Sequence, residues 1–252
     1  MYNYTLLALY ATIFTFLLTT LGSSMVFFFK KINKNFMDAS LGIASGIMMS
    51  ASFFSLLNPA LDNAKSLNQI PCLVISSGFI LGGLFIFITD KLFQKKLKNK
   101  NKRLSLLILS ITMHNIPEGL AVGIAFGSIK YGINGATLTN ALLLALAIGL
   151  QNFPEGSAIS LPLRRDGYTR FKSFIYGSLS AIVEPIFGVI GAILTIKIQN
   201  LMPLFLSFAA GAMIYVIIEE LIPESQTNEN KSLMAIFSLI GFIVMMALDT
   251  AL

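Results

Sequence analysis

Two short stretches of the chain combine side chains that bind cations with a helix-breaking proline. HNIPEG begins at His114, the only histidine of the chain, and QNFPEG begins at Gln151. His114 and Glu118 are four positions apart, as are Gln151 and Glu155, so on an α-helix each pair lies on one face. Imidazole, carboxylate and amide groups are typical ligands of a divalent transition metal such as Zn²⁺, Fe²⁺ or Mn²⁺. The two stretches therefore predict a metal site.

The proline of each stretch adds backbone oxygens to this set. Pro117 and Pro154 have no N–H, so the carbonyls of Met113 and Leu150 lose their helical donors. Unpaired backbone inside a membrane is tolerated where it lines a cavity or is buried in protein. We therefore expect discontinuous helices around a binding site at these two points.

The composition is that of an all-α integral membrane protein. Hydrophobic residues make up 55% of the chain and charged residues 12%, and the mean hydropathy is +0.77. A soluble domain of 252 residues needs far more charge on its surface. Eight apolar segments are long enough, or nearly so, to span a bilayer as helices. They are residues 4–29, 39–57, 72–89, 104–129, 136–163, 171–196, 201–218 and 233–248.

The positions of the basic residues predict how these segments are oriented. Of the 18 Lys and Arg, all but Lys65, Lys130 and Lys197 lie in the loops of one side, seven of them in the basic loop 91–103. The positive-inside rule makes that side cytoplasmic and places both termini outside. We expect one polytopic domain over residues 1–252, in the inner (plasma) membrane. The net charge of +6 then reflects topology and attraction to lipid headgroups, and no nucleic-acid partner is expected.

The cation-binding residues fall near the middle of the bilayer. At 1.5 Å per residue, His114, Gln151 and Glu184 lie about 16, 20 and 18 Å from the basic ends of their helices. Glu118, Glu155 and Glu184 therefore reach a similar depth, where each charge costs about 2.5 to 3.5 kcal/mol. No Lys or Arg lies in the central parts of these helices. The carboxylates are either protonated or share a cation from solution.

The tandem HNIPEG and QNFPEG, on consecutive helices of an eight-span chain with outward termini, resemble the ZIP metal-ion transporters, particularly their prokaryotic GufA-type branch. The resemblance covers essentially the whole chain. It implies transport of divalent metal ions into the cytoplasm through a midplane site on the fourth, fifth and sixth helices. Zinc is the expected substrate, with iron, manganese and cadmium as further candidates, and no cofactor is expected. It also implies two helix bundles built from inverted repeats, which could work as an elevator.

The resemblance assigns a binuclear centre to particular residues. One metal would be held by His114, Glu118, Gln151 and Glu155, with Met48 of the second helix as an additional soft ligand. A second metal would use Asn115, Asn152 and Glu184, with Glu118 and Glu155 bridging.

The chain differs from many relatives at three features of this pattern. Gln151 replaces a histidine, a lysine run replaces a histidine-rich loop, and Asn152 stands where some relatives carry an acid. The second site has one carboxylate fewer, so we expect it to bind more weakly.

Further acidic residues lie near the ends of the spans. Glu219, Glu220 and Glu224 are expected near the cytoplasmic face, where they either form a release path for the metal or are solvated at headgroup level. Asp249 is either near an outer entrance or a terminal interfacial acid.

Two other functions use the same residues. A selective cation channel could carry this metal site without alternating access. An intramembrane metalloenzyme could use His and Glu to activate water, but the chain has no H-E-x-x-H motif, no second histidine and only Cys72 as a thiol. The expected partners are divalent metal ions, membrane lipids and, in a homodimer, a second copy of the chain.

Overall fold

The computed structural model describes residues 3–28, 34–96, 102–130, 132, 136–227 and 229–251. Within the helices, the side chains of residues 93–96, 102–107, 109, 110, 114, 196–199 and 251 also lie outside the description. The described part is helical and contains no strand. This confirms the all-α class predicted from the composition.

Eight helical spans cross the described part of the molecule. Three of them contain a π-helix or a turn of three residues, and the first is divided by a turn at Ser24. The second and seventh spans each contain a π-helical segment, and a turn at 180–182 interrupts the sixth. In chain order the spans are Tyr4–Ser23 with Met25–Phe28; Lys34–Ala51, the π-helix Ser52–Leu57 and Asn58–Ser66; Pro71–Lys96; Lys102–Lys130; Leu138–Arg165; Arg170–Leu179 with Val183–Ile198; Met202–Val216, the π-helix Ile217–Leu221 and Ile222–Ser225; and Lys231–Ala251.

The spans have the dimensions of membrane helices. In the described part of the chain, seven spans are long and apolar enough to cross a bilayer. The fourth span, Lys102–Lys130, carries the polar HNIPEG stretch and is not among those seven. Its 29 residues make it about 44 Å long, more than the roughly 30 Å of a hydrocarbon core. The structure thus agrees with a multi-pass membrane protein.

Polar side chains fix where several spans begin. The side chains of Asn3, Thr137 and Thr169 each accept a hydrogen bond from the backbone N–H three residues later, at 3.2, 3.1 and 3.2 Å. Such N-caps satisfy donors that the first helical turn leaves unpaired. They start the first, fifth and sixth spans within a few residues of the predicted positions.

The helices extend beyond the apolar segments at several ends. The third span continues to Lys96 and the fourth begins at Lys102, so both enter the predicted loop 91–103. Only residues 97–101 separate them, and these lie outside the described residues. Lys, Leu and Gln are good helix formers, so the helices do not end where hydrophobicity ends.

The spans pack as two groups of four. The fourth span packs along the sixth and the first along the fifth, which makes one group of spans 1, 4, 5 and 6. The second span packs along the eighth and the third along the seventh, which makes the other group of spans 2, 3, 7 and 8. The main contacts between the groups join the second span to the fifth and the fourth to the seventh. This arrangement agrees with the two bundles that the resemblance implies.

The second and seventh spans repeat one another. Gly46-Ile47-Met48 and Gly211-Ala212-Met213 each precede a π-helix at the same distance. A Cβ at Gly46 would lie 1.8 Å from the Ser238 carbonyl oxygen of the eighth span, and one at Gly211 would lie 2.0 Å from that of Phe79 in the third. The two spans run in opposite directions, so they are copies of an inverted repeat.

The prediction of interrupted helices at Pro117 and Pro154 is wrong. Both prolines lie inside continuous α-helices. Each removes one hydrogen bond, and the neighbouring helices hold the geometry. Met113 and Pro117 line an apolar cavity of about 100 Å³, so the weakened turn of the fourth span does lie beside a cavity. The interrupted helix is the sixth, at 180–182, directly before Glu184 and Pro185.

Candidate metal site

Six of the predicted ligands lie together inside the group of spans 1, 4, 5 and 6. Each is at most 1% exposed. They are Asn115 and Glu118 of the fourth span, Gln151, Asn152 and Glu155 of the fifth, and Glu184 of the sixth. The seventh, His114, belongs to the fourth helix, and its side chain lies outside the described residues.

Glycines let two pairs of helices approach closely at this depth, the fourth with the sixth and the fifth with the first. A Cβ at Gly119 would lie 2.5 Å from the carbonyl oxygen of Glu184, and a Cβ at Gly156 would lie 2.0 Å from that of Thr19. A side chain at either position would push two helices apart. The glycine that ends each motif therefore brings the helix backbones into contact beside the polar residues.

Gln151 and Glu118 join the fifth span to the fourth. The Nε2 of Gln151 donates a hydrogen bond to Oε1 of Glu118. Because the amide nitrogen donates, the other end of the amide, Oε1, is directed elsewhere. The first residue of one motif is thus connected to the glutamate of the other motif.

A second polar cluster holds Glu184. The Nδ2 of Asn152 donates to Oε1 of Glu184 at 2.9 Å, and the hydroxyl of Thr15 in the first span donates to Oε2. Both carboxylate oxygens therefore have a donor, each from a different helix. A buried carboxylate is stable only when its oxygens are paired in this way.

Asn115 forms a hydrogen bond to the backbone where the sixth span is interrupted. Its Nδ2 donates to the carbonyl oxygen of Ser180 at 3.2 Å. In a regular helix that carbonyl would accept from the N–H of Glu184, which instead donates to Ala181 at 3.0 Å. The amide thus replaces the hydrogen bond that the interruption removes.

Several oxygens of the cluster are left without donors. They are Oε2 of Glu118, Oε1 of Gln151, Oδ1 of Asn115 and Oδ1 of Asn152. All four are buried and accept no hydrogen bond from the described part of the chain. A buried acceptor without a partner costs about 1 to 3 kcal/mol. A cation bound among them would remove that cost.

The charges of the cluster are all negative in the described side chains. Glu118 lies within electrostatic range of both Glu155 and Glu184. No group of three His, Cys, Asp or Glu side chains close enough for one ion occurs among the described residues. Carboxylate and amide oxygens would therefore share the coordination, and His114 is the remaining candidate for a nitrogen ligand.

A cavity of about 700 Å³ lies at the end of the molecule where the first span begins and the eighth ends, here termed the terminal face, and none of the six buried ligands lines it. Its rim includes Asp62, Asn140 and Asp249. Asp249 Oδ1 accepts a hydrogen bond from the Ser55 hydroxyl at 2.7 Å, and Oδ2 is buried without a donor in the described structure. Leu150, the neighbour of Gln151, also lines the cavity.

The three acids predicted for a release path do not form one cluster. Glu219 is exposed and lies within electrostatic range of Asp90 in the third span. Glu220, the next residue of the same π-helix, is half-buried. Glu224 is buried, and its Oε1 lies 3.1 Å from Nη1 of Arg165 at the end of the fifth span. This ion pair joins the two groups of spans at the face opposite the cavity.

Met48 stays a predicted metal ligand, supported only by its position in the second span. It is fully buried in the second span, in an apolar cluster that also contains Ile148 of the fifth span and Met213 of the seventh. Its carbonyl oxygen accepts a hydrogen bond from the Ser52 hydroxyl at 2.8 Å.

Thr15 is the site residue that sequence reasoning missed. The first span carries no charge, so nothing in its composition marks it as part of a metal site. Thr12, Thr15 and Thr19 are nevertheless fully buried and lie on one helix face. That pattern could have indicated a polar face directed into the bundle.

The chain matches the model of the ZIP zinc transporter family over residues 94–249. It is 37% identical to zinc transporter ZIP11 of Xenopus tropicalis, an alignment that covers 100% of this chain and 98% of the relative. The chain belongs to the ZIP family. It is also 32% identical to zinc transporter ZIPB of Bordetella bronchiseptica, over 94% of this chain and 78% of the relative. For zinc transporter GufA of Myxococcus xanthus the identity is 30%, over 93% and 94%.

Membership in the ZIP family confirms the resemblance, including its GufA-type relatives. ZIP proteins are transporters, so the chain is a metal-ion transporter of the membrane and not an enzyme. This sets aside the intramembrane metalloenzyme. The family match includes both motifs, the sixth span and the acids of the seventh span.

Proposed function

We propose that the chain carries divalent transition-metal ions, zinc first and Fe²⁺, Mn²⁺ or Cd²⁺ as further substrates, into the cytoplasm through the cluster on the fourth, fifth and sixth spans. The observation that carries this proposal is a set of four buried oxygens for which the described part of the chain provides no donor, contributed by Asn115, Glu118, Gln151 and Asn152. A cation is the partner that such oxygens lack. Glycosidic, acyl or phosphoryl chemistry has no comparable support in the cluster.

The proposed primary ion lies among His114, Glu118, Gln151 and Glu155. The hydrogen bond from Gln151 to Glu118 holds both side chains, so Oε1 of the amide and Oε2 of the carboxylate need little reorganisation to bind the ion. Asn115, Asn152 and Glu184 flank this ion and form the weaker second position. Met48 is an additional sulfur ligand of the second span.

The terminal face is proposed to be outside the cell, in the plasma membrane, so that the cavity of about 700 Å³ is the entrance. Cys72, the only cysteine, provides a direct test because it is exposed at the start of the third span, on the terminal face. A membrane-impermeant maleimide should label intact cells that express the protein, and the Cys72→Ser variant should stay unlabelled. Labelling only after the cells are opened would reverse the proposed orientation.

Alternating access is proposed to arise from movement of one group of spans against the other. All proposed ligands except Met48 belong to spans 1, 4, 5 and 6, and side chains such as Ala51 and Ala147 meet between the groups. Small apolar side chains allow sliding, because they neither interlock deeply nor leave polar groups unpaired. A homodimer with a second copy of the chain is proposed as the assembly in which this movement takes place.

The path on the cytoplasmic side is proposed to pass Glu219, Glu220 and Glu224. The Arg165–Glu224 pair joins the two groups of spans on this side, and the cavity opens on the other. Both features support a proposed state that is closed toward the cytoplasm. That one-sided opening favours a carrier over a channel, in which both ends would be open together.

Uptake into proteoliposomes tests the function. Purified protein is reconstituted, and zinc uptake is followed with an encapsulated fluorescent indicator against protein-free liposomes. Saturable uptake, reduced by competing Cd²⁺, Fe²⁺ or Mn²⁺ and with turnover far below channel rates, is expected. Zinc flux that does not saturate would favour the channel, and the absence of flux for all four ions would contradict metal transport.

A further inference from the structure

The first span presents a face of three threonines to the helices that carry the candidate site. Thr12, Thr15 and Thr19 are fully buried, and no charged residue occurs in Tyr4–Ser23. In a membrane helix a threonine hydroxyl usually donates to a carbonyl of the preceding turn. Thr12 follows this pattern, because its hydroxyl contacts the carbonyl oxygens of Ala8 at 2.8 Å and Leu9 at 3.2 Å.

Thr15 differs from Thr12 because it also contacts side chains of other spans. Its hydroxyl lies 3.0 Å from the Thr12 carbonyl oxygen, as expected within a helix, and it also donates to Oε2 of Glu184 in the sixth span. Its carbonyl oxygen accepts from Nδ2 of Asn152 in the fifth span at 3.5 Å. Asn152 Nδ2 also donates to Oε1 of Glu184. Thr15, Asn152 and Glu184 therefore form a closed set of hydrogen bonds across three helices.

This set determines which end of the Asn152 amide faces the cluster. The nitrogen donates to Glu184 and to the Thr15 carbonyl, so Oδ1, at the other end of the planar amide, is directed away from these two acceptors. That oxygen is buried and accepts no hydrogen bond within the described part of the chain. An amide can ligate a cation through its oxygen but not through its NH₂ group.

We propose that Thr15 is a positioning residue of the metal site, which fixes the Glu184 carboxylate and, through it, the orientation of the Asn152 amide. The inference rests on the proposed function, because the oriented oxygen serves to bind the transported cation. Thr15 itself does not touch the metal. It gives the first span a role in the site, although none of its side chains is charged.

The loss of the hydroxyl has a definite consequence. Without it, Oε2 of Glu184 has no donor, and the carboxylate turns to find one among the neighbouring amides. The Asn152 side chain then either moves with Glu184 or rotates its amide. Rotation directs the two N–H donors of the amide, in place of its oxygen, at the cation. Affinity falls for this reason, while the helices, which pack through their glycines, remain in place.

The test compares Thr15→Val, Thr15→Ser and Thr12→Val. Valine has nearly the shape of threonine without the hydroxyl, and serine keeps the hydroxyl. Thr12 is a matched control because it is equally buried on the same helix and bonds only within it. Zinc binding to the purified protein is measured by calorimetry, and zinc uptake is measured in proteoliposomes.

We expect Thr15→Val to weaken zinc binding at the second position, which Asn152 and Glu184 form, about tenfold, and to raise the KM of uptake by a similar factor with little change in maximal rate. Thr15→Ser and Thr12→Val should stay within about twofold of the parent protein. Unchanged affinity in Thr15→Val, or an equal loss in Thr12→Val, would overturn the inference. If the parent protein binds no zinc, the proposed function itself fails, which is a distinct result.

A double-mutant cycle asks whether Thr15 acts through Glu184. In a Glu184→Gln background, Thr15→Val should lower zinc affinity by less than about twofold, because the carboxylate it positions is gone. A full tenfold loss in both backgrounds would overturn a positioning role. Should Thr15→Val fail to reach the membrane, Thr15→Ala replaces it in the same cycle with the same expected outcomes.

Discussion

The carboxamide of Gln151 donates to Oε1 of Glu118 across the contact between the fifth and fourth spans. This bond leaves Oε1 of Gln151 and Oε2 of Glu118 buried and without donors in the described structure. The two tandem motifs of the ZIP family are thus connected directly, and the polar atoms that remain are those suited to a cation. Five predictions follow from this arrangement and its surroundings.

Glu118→Ala and His114→Ala should each abolish saturable zinc uptake while the protein still inserts in the membrane. Glu118 contributes a buried oxygen to the proposed ion, and His114 is the only imidazole of the chain. Uptake in proteoliposomes is the measurement, and Glu229→Ala, an acid exposed between the last two spans, is the control. Normal uptake by well-expressed Glu118→Ala would show that the ion does not bind at this cluster.

Asn152→Asp should increase the number of zinc ions bound per chain. Both oxygens of Glu184 accept hydrogen bonds, one of them from the Asn152 amide, so we expect the parent protein to hold a second ion weakly. An aspartate cannot donate and adds a charge, which at intermediate effective dielectric is worth several kcal/mol before desolvation. Elemental mass spectrometry after dialysis at matched free zinc counts the ions. Two ions in the parent protein, unchanged by the substitution, would refute the prediction.

Metal binding should release protons and should weaken as pH falls. Carboxylates and imidazole bind a metal only when deprotonated, so protons compete with zinc for Glu118, Glu155 and His114. Calorimetry of zinc binding in buffers of different ionisation enthalpy measures the number of protons released. An observed enthalpy that is the same in every buffer at mildly acid pH would contradict the competition.

Gly119→Ala should damage the site, whereas Gly83→Ala should be tolerated. A Cβ at Gly119 would lie 2.5 Å from the Glu184 carbonyl oxygen, but one at Gly83 would lie 3.7 Å from its nearest neighbour, an ordinary contact. Separating the helices at Gly119 should cost about 1 to 3 kcal/mol and weaken zinc binding. Thermal unfolding and zinc affinity of both variants are compared. Equal behaviour of the two would show that the close approach at Gly119 is not required.

Arg165 and Glu224 should stabilise the closed cytoplasmic side together. The pair is partly buried at 3.1 Å, with 36% of the arginine side chain exposed, so its coupling free energy should be about 0.5 to 1 kcal/mol. A cycle of Arg165→Gln and Glu224→Gln, followed by unfolding, measures this coupling. The control is the cycle for Lys65 and Asp62, whose side chains are 59% and 78% exposed within one helix and should show no coupling. Coupling of the control pair alone would contradict the expected closure.

Much of the fold follows from the sequence because the bilayer restricts it. Apolar length identifies seven of the spans clearly in the described part of the chain and the fourth, with its polar HNIPEG stretch, less clearly. The motif spacing places Glu118, Gln151 and Glu155 in one cluster. The ends of the helices are harder to predict from the sequence, since the second span extends from Lys34 to Ser66 with polar residues at both ends. The apolar run of a segment predicts the part that lies inside the membrane, whereas helix propensity determines where the helix ends.

The finer features of the site depended on contacts that no local pattern encodes. Thr12 and Thr15 have the same type, the same helix and the same burial, and only the packing of the sixth span distinguishes them. The helix break at 180–182 has the same origin, because the Asn115 amide compensates it from another helix. The repeat of Gly46 and Met48 in Gly211 and Met213 is visible in the sequence only once the two π-helices are aligned.

The position of the bound ion shows directly whether Glu118 and Gln151 ligate the transported metal. Crystals of the protein grown with Zn²⁺ or Cd²⁺ give an anomalous difference map, in which the metal appears as an isolated peak. We expect a dominant peak about 2.0 to 2.6 Å from Oε2 of Glu118 and Oε1 of Gln151. A dominant peak at Asp90 and Glu219, or at Asp249, with no density between Glu118 and Gln151, would contradict it.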